Sequence, residues 1–444
     1  MMMENDEPRD FLSELPTDVL VSILENVDLL DAVRAGILSR RWRRLTSQLP
    51  RLVLRMEDFL PTDVDEHRYY DDGGGGVRSD DGRPRDALSD ASDAMLQAAA
   101  ALLASRLAEA PACTVAMRFL LRHNYMSLGR LLDGVVAGGK VRAVELSVST
   151  TCSLYESGKA PETYRAMAGL GRRFMTTLFD GCPAAFGGLT RLALEDMYLR
   201  RPDDLSDILS TCTKLEVLSL LVSGVSSRKQ PWTVRHAQLT DVSISFCSFY
   251  GVDLAWLPKL ERFSYKQWDD FIDKQRREPL SFGHVPRLKT LILSNTLLLG
   301  HRALRLSQIL ANTAVSDLRL NFRGQDLDDV EERFLPTKKT NVLWEVPAGF
   351  KHYTLARLTI LGFYDTGSEG IVHFLRSLVQ AAVHLEEMHV REKAHCDECD
   401  VTEIGPPSFP RTDQDKDALR ERISGGRSTA FKIYIQPCTL SNGH

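Results

Sequence analysis

Three clusters in this chain have residue types and spacings that could carry chemistry. The first is His395-Cys396-Asp397-Glu398-Cys399, where a C-x-x-C pair could give zinc two thiolates and the neighbouring imidazole a third donor. A closed tetrahedral site needs a fourth donor, and no second C-x-x-C follows, so loop thiols are the simpler reading and no metal is expected. No thioredoxin-like unit precedes the pair, which removes a redox role. The second cluster is Arg40, Arg41, Arg43 and Arg44 around Trp42, a shape that could grip phosphates. Its run is short and Asp28 and Asp31 lie close by, so a solvated helix face with aliphatic stems laid over a core accounts for it better. The third is Gly73 to Gly76, which has neither a strand before it nor a Gly-Lys-Ser after it and cannot be a phosphate cradle.

No G-x-S-x-G, dinucleotide fingerprint or H-E-x-x-H occurs, and the 11 histidines show no helical i, i+4 pairing. Acidic runs such as Asp326 to Glu332 read as solvated loops or helix starts. The expectation is a non-catalytic protein without cofactors. A formal net charge of -5 gives no whole-chain case for nucleic-acid binding. Scattered cysteines argue for reduced thiols, the polar MMMENDEPRDF start argues against a secretory signal, and no apolar run reaches membrane-spanning length. These features predict a soluble protein of the cytoplasm and/or nucleus with no membrane partner.

The elements that would position any site fall into two groups. At 444 residues the chain exceeds what one core supports, so two units or an elongated array are expected. DVDEHRYYDDGGGGVRSDDGRPRD cannot bury enough apolar surface to offset chain entropy, which makes residues 61–93 a flexible linker. Before it, Pro16 sits where its missing N–H costs little, and Val19, Leu20, Ile23, Leu24 and Val27 form one broad apolar face. A second short helix offers Val33, Ile37 and Leu38, and a third holds Trp42 and Leu45. So small a module leaves apolar surface in need of a partner.

After the linker, a helix capped by Ser92 or Asp93 runs to Pro111, and Val144, Leu146 and Val148 alternate as a strand. A pattern L-x-x-L-x-L then recurs eight times. It is carried by Leu189/Leu192/Leu194, Leu215/Leu218/Leu220, Leu239/Val242/Ile244 and Leu260/Phe263/Tyr265, then by Leu288/Leu291/Leu293, Val315/Leu318/Leu320, Leu355/Leu358/Ile360 and Leu385/Met388/Val390. The last two apolar residues share one face of a short strand and the first anchors the turn into it. One such strand cannot bury its face alone, but stacked neighbours can. Helix-like stretches such as DILSTCTKLEVLSL and SLVQAAVHLEEMHV separate the strands, and only Cys247 supplies the polar residue that usually closes the turn. The fold class expected is α/β: a small three-helix module, then an irregular leucine-rich solenoid with a curved parallel sheet on one side and helices or irregular turns on the other. Residues 94–400 hold the repeats and 401–444 form an extension whose FKIYIQP reads as a final strand.

The opening segment, residues 11–50, resembles the F-box: Leu15-Pro16, Val19-Leu20, Ile23-Leu24, Asp31 to Arg34 and Leu38 to Trp42 match that family's spaced elements. Asn26 and Asp28 depart from it, standing where an aromatic and a proline are usual. The remainder is similar to plant F-box proteins with leucine-rich repeats, especially the large grass families. The resemblance implies a substrate receptor of a cullin-based SCF ubiquitin ligase, docked on a Skp-type adaptor through Leu15, Pro16, Leu20, Ile23 and Leu24. It implies structural roles for Val33, Leu38 and Trp42, and a repeat array that binds an unknown target protein. A repeat scaffold working outside a ubiquitin ligase is the alternative.

Overall fold

The structure, a computed structural model, describes residues 15–38, 40–60, 77–78, 84–85, 87–106, 112–150, 161–225, 230–247, 249–266, 280–294, 310–311, 313–321, 349–363, 369–392, 409–425 and 431–437. By contacts the chain divides into two compact units, residues 1–200 with 207–215, and residues 201–206 with 216–444.

The first unit opens with three helices, α1 (Thr17–Glu25), α2 (Leu29–Leu38) and α3 (Arg40–Thr46). Pro16 occupies the N-cap of α1, and Asp18 in the first turn complements the exposed N–H groups there. Asn26 ends α1 as its C-cap, its side-chain Nδ2 donating to the Ser22 carbonyl at 2.8 Å. α3 packs on both α1 and α2. Gly36 permits the second contact: a Cβ there would stand 3.2 Å from the Arg43 Cα. Leu20, Leu24, Ala32 and Leu45 are buried between the helices.

α3 runs into the strand Arg51–Arg55, which pairs in parallel with Cys113–Leu120, and Val141–Ser149 and Leu189–Glu195 follow in order. Only the last two of these strands were legible from the sequence. Across the sheet, Leu52, Val115, Val144 and Leu189 make one buried row, and Leu54, Met117, Leu146 and Leu192 another. The helix Ala87–Ser105 begins ahead of the expected Ser92–Asp93 cap, because Ala87, Ala91, Met95, Ala99 and Leu103 form an inward row at helical spacing. Ser92 is therefore inside that helix and fully buried. The glycine run at 73–76 lies outside the described residues.

In the second unit, eight described strands form the main parallel sheet, in the order Val217–Leu221, Asp241–Ser245, Arg262–Lys266, Thr290–Ser294, Asp317–Asn321, Arg357–Leu361, Glu387–Arg391 and Lys432–Gln436. Every strand expected from the leucine pattern is present. The register is unbroken: Leu218, Val242, Phe263, Leu291, Leu318, Leu358, Met388 and Ile433 are successive partners, with Leu220, Ile244, Tyr265, Leu293, Leu320, Ile360, Val390 and Ile435 beside them. All but Ile433 belong to the buried core. The sheet is open, with no closure into a barrel.

Just before most of these strands a single carbonyl serves the next repeat twice. Glu216 O accepts from the N–H groups of Thr240 and Asp241, Thr240 O from Glu261 and Arg262, and Glu261 O from Lys289 and Thr290. Lys289, Ser316 and Ala356 continue the relay, which satisfies backbone groups that burial would otherwise leave costly. Two histidines secure the anchor turns, where His236 Nδ1 accepts from Leu239 N and His352 Nδ1 from Leu355 N, both at 3.1 Å. Burial holds His352 below the usual imidazole range, so it stays a neutral acceptor.

Among the described residues, helices stand before the last two strands of this sheet. Glu369–Ala381 precedes Glu387–Arg391, and Asp413–Ser424 precedes Lys432–Gln436. Arg376 joins the pair, donating from Nε and Nη2 to the Arg422 carbonyl at 3.0 and 2.6 Å. Elsewhere the structure differs from expectation. Between Val217 and Thr290 three connections hold short strands, Trp232–Arg235, Val252–Trp256 and Leu280–His284, which make their own parallel sheet. Gly251 and Pro258 bracket the middle one, and Val252 and Leu254 alternate inward with Asp253 and Ala255, a period no helix can use.

The described cysteines 113, 182, 212 and 247 are buried thiols. Desolvation pushes the Cys212 and Cys247 thiols up to about 12. Cys247 Sγ lies 3.2 Å from the Ser245 carbonyl and 3.4 Å from that of Leu220, closing its turn as a donor. At pH 8 the thiolate fraction of either is on the order of one in ten thousand. A thiol-reactive probe at pH 8 should leave both unlabelled in the native protein and label both in urea, as read by mass spectrometry of the peptides.

Candidate functional site

Two surfaces could do the work of recognition, and the first lies on the helical module. The broad apolar arc of α1 splits into two rows. Leu20 and Leu24 face inward at 0% and 2% exposure, whereas Val19 and Ile23, at 40% and 38%, face solvent, and Val27 continues their spacing at 44%. Pro16 is exposed and Leu15 half-buried, so the five expected adaptor contacts are divided between surface and core. Ile37 of α2 is the most exposed of these aliphatics at 70%. Val33 and Trp42 are half-buried, as supporting residues would be, and the Leu38 side chain lies outside the described residues.

Two of the clustered arginines help hold the module together. Arg41 donates to the Leu15 carbonyl at the entry of α1, and Arg43 Nε donates to the Gly36 carbonyl at 3.4 Å. The pair formed by Arg34 and Asp31 at 2.9 Å is exposed on both sides and contributes roughly 0–1 kcal/mol.

The second surface is the face of the repeat sheet that alternates with the buried rows. Along it Ser219, Ser243, Ser264, Ile292, Arg319, Thr359, His389 and Tyr434 are successive register partners. Small hydroxyl side chains occupy one end and large polar ones the other. Arg319 is bound to Asp317 at 3.1 and 2.7 Å, and that hydrogen bond raises its already high pKa. His389 stacks on Tyr434, centroids 4.8 Å apart, with its Nε2 3.2 Å from Glu387. Hydrogen bonds to His389 and then Arg357 hold Glu387 below the usual carboxylate range.

His395, Cys396 and Cys399 lie outside the described residues. Among the described residues no group of three or more His, Cys, Asp or Glu side chains could hold a metal ion. No described helix is long and apolar enough to cross a membrane.

Comparison with known families agrees with this layout. The F-box domain family matches residues 12–54, the three helices and the first strand. The leucine-rich repeats of FBD-associated F-box protein At5g56370 match residues 149–323. In these two stretches the chain resembles plant-type F-box proteins with leucine-rich repeats. A putative FBD-associated F-box protein of Arabidopsis thaliana, At5g44940, is 43% identical over 53 residues. That match covers 12% of this chain and 14% of the relative. The matched F-box range ends at residue 54, within the strand Arg51–Arg55 that joins the first unit's sheet. Sequence reasoning missed that strand, although Leu52 and Leu54 alternate with Arg51, Val53 and Arg55.

Proposed function

We propose that this protein is the substrate-recognition subunit of an SCF-type cullin ubiquitin ligase. Its helical module docks on a Skp-type adaptor and, through it, a cullin, while the repeat sheet binds the target protein. The observation that carries the reading is the exposed row of Pro16, Val19, Ile23 and Val27 on a module whose core closes around Leu20 and Leu24. A soluble module gains nothing by exposing aliphatic side chains in a row unless a partner covers them. Leu20 and Leu24 then serve docking by fixing α1, and Val19 and Ile23 make the contact. The subunit contributes proximity, holding the target's lysines near the ubiquitin-charged enzyme. The buried thiols fit action in the cytoplasm or nucleus, where thiols stay reduced.

Ile23→Asp tests the docking face, because the residue is exposed and the charge leaves the module's core untouched. Burying an unpaired carboxylate in the interface costs several kcal/mol, so capture of a purified Skp-type adaptor should fall by about a hundredfold or more. The far-ultraviolet circular dichroism spectrum should not change. Undiminished capture by the variant would remove α1 from the interface. Adaptor capture from cells without any cullin would favour the scaffold reading instead.

A further inference from the structure

The strand Lys432–Gln436 ends the repeat sheet, and one of its sides is turned away from every other strand described. Two bonds fix which side that is. Lys432 N–H donates to the Glu386 carbonyl at 3.0 Å, and the Gln436 carbonyl accepts from Glu392 N–H at 3.2 Å. Along a parallel strand each residue points both backbone groups to one side, and neighbours alternate. Lys432, Tyr434 and Gln436 therefore face Glu387–Arg391, while Ile433 and Ile435 point their N–H and C=O groups outward. Arg420, on the helix Asp413–Ser424, meets that outer side, its Nε donating to the Ile433 carbonyl at 3.3 Å. Among the described residues the Ile433 N–H and both backbone groups of Ile435 have no partner.

The side chains carry the same incompleteness. Ile433 continues the row of Leu358 and Met388, yet it is half-buried where they are buried. On the opposite face Tyr434, stacked on His389, is also half-buried. Edge groups of this kind are a template for another strand.

A second copy of the same strand complements it. Turned about a two-fold axis through Tyr434, the two strands run antiparallel and each Ile433 lies opposite Ile435 of the second copy. Residues so opposed exchange both backbone bonds, so every outward group meets its complement. The Ile433 carbonyl takes this donor beside Arg420, just as the carbonyls ahead of the strands accept twice. A register two residues away would set one isoleucine opposite itself and the other opposite Phe431 or Pro437, and Pro437 has no N–H to offer. The two-fold pairing also extends both buried rows into the second copy. On the other face it sets Tyr434 against Tyr434 of that copy, an aromatic cross-strand pair. Lys432 faces Gln436 of the second copy, so no like charges meet across the strands.

We propose that Lys432–Gln436 is a self-recognition edge that joins two copies of the chain through antiparallel pairing of this strand. It makes no use of the helical module or of adaptor docking. A dimer joined here carries two repeat faces, so a target with two matching segments gains from effective concentration.

Sedimentation equilibrium of the full chain should show a reversible dimer, with a dissociation constant in roughly the micromolar range. Ile433→Pro removes an N–H that the sheet does not use, at an edge where proline is tolerated. It should weaken the dimer by about thirtyfold or more, one bond being lost from each copy. Gln436→Glu should tighten the dimer roughly threefold at low salt and Gln436→Lys loosen it by as much, because each faces Lys432 of the second copy. Misfolding could not produce shifts of opposite sign, and all three variants should keep the parent circular dichroism spectrum. A monomer up to about 100 μM would overturn the proposal, as would a dimer indifferent to these substitutions. Uptake of a synthetic peptide of residues 431–437 by a chain that stays monomeric would assign the edge to a foreign strand and overturn self-pairing too.

Discussion

Leu318→Ala should destabilise the second unit by about 2–5 kcal/mol, whereas Arg319→Ala, one residue along the same strand, should change stability by less than about 1 kcal/mol. Leu318 is fully buried, with Leu291 and Leu358 as register partners on either side. Truncation there removes transfer free energy and leaves a void in the middle of the row, where neighbours are fixed by their own strands and cannot collapse inward. Arg319 points to the other face and loses only its ion pair with Asp317, whose partners are partly in water. Repeat arrays draw stability from nearest-neighbour interfaces, so a loss of this size at one interface should also broaden the transition. Urea unfolding followed by circular dichroism measures both effects. Equal shifts for the two variants would contradict the assignment of faces.

Gly171→Ala and Gly169→Ala should shift stability in opposite directions although both sit in the helix Pro161–Arg173. Alanine is favoured over glycine in a helix by about 1 kcal/mol, and at Gly169 a Cβ meets nothing within 4 Å, so that variant should gain up to this amount. At Gly171 the same Cβ would stand 2.0 Å from the carbonyl oxygen of Tyr198 and 2.7 Å from its carbon. Both are backbone atoms of the short strand Tyr198–Leu199 and cannot swing aside. The helix must back away, at an overpacking cost of about 1–3 kcal/mol that outweighs the propensity gain. Tyr164, whose ring meets that of Tyr198 edge-on at 5.3 Å, would lose contact in the same movement. Thermal melts should place Gly171→Ala several degrees below the parent and Gly169→Ala at or above it.

The repeat sheet was legible because a strand's period of two is hard to disguise: pairs such as Leu318 and Leu320 must lie on one face wherever the chain is extended. The short strands of the smaller sheet were not, because Val252 and Leu254 carry the same alternation without an anchor to mark them as a repeat. The helix Asp413–Ser424 was hidden in a polar stretch, yet its signals were present. Thr412 and Asp415 form a capping box at its start, and Gly425 takes a left-handed conformation, φ 64°, at its end. In the helical module, periodicity merged Val19, Leu20, Ile23, Leu24 and Val27 into one face. Only the position of α3 shows which row faces inward, and an apolar arc too wide for so small a core was the available clue.

The doubly accepting carbonyls ahead of most of these strands have a consequence for how such chains diversify. Because each such strand is pinned to its predecessor at its first residues, whatever the chain does between one anchor and the next leaves no trace in the ladder. The interval from Val315 to Leu355 is nearly twice that from Leu239 to Leu260, yet both pairs of neighbouring strands keep the same residue-for-residue alignment. Insertions and deletions are thus free to accumulate in the intervals as independent variations, each changing one stretch of the border while the sheet that carries them stays constant.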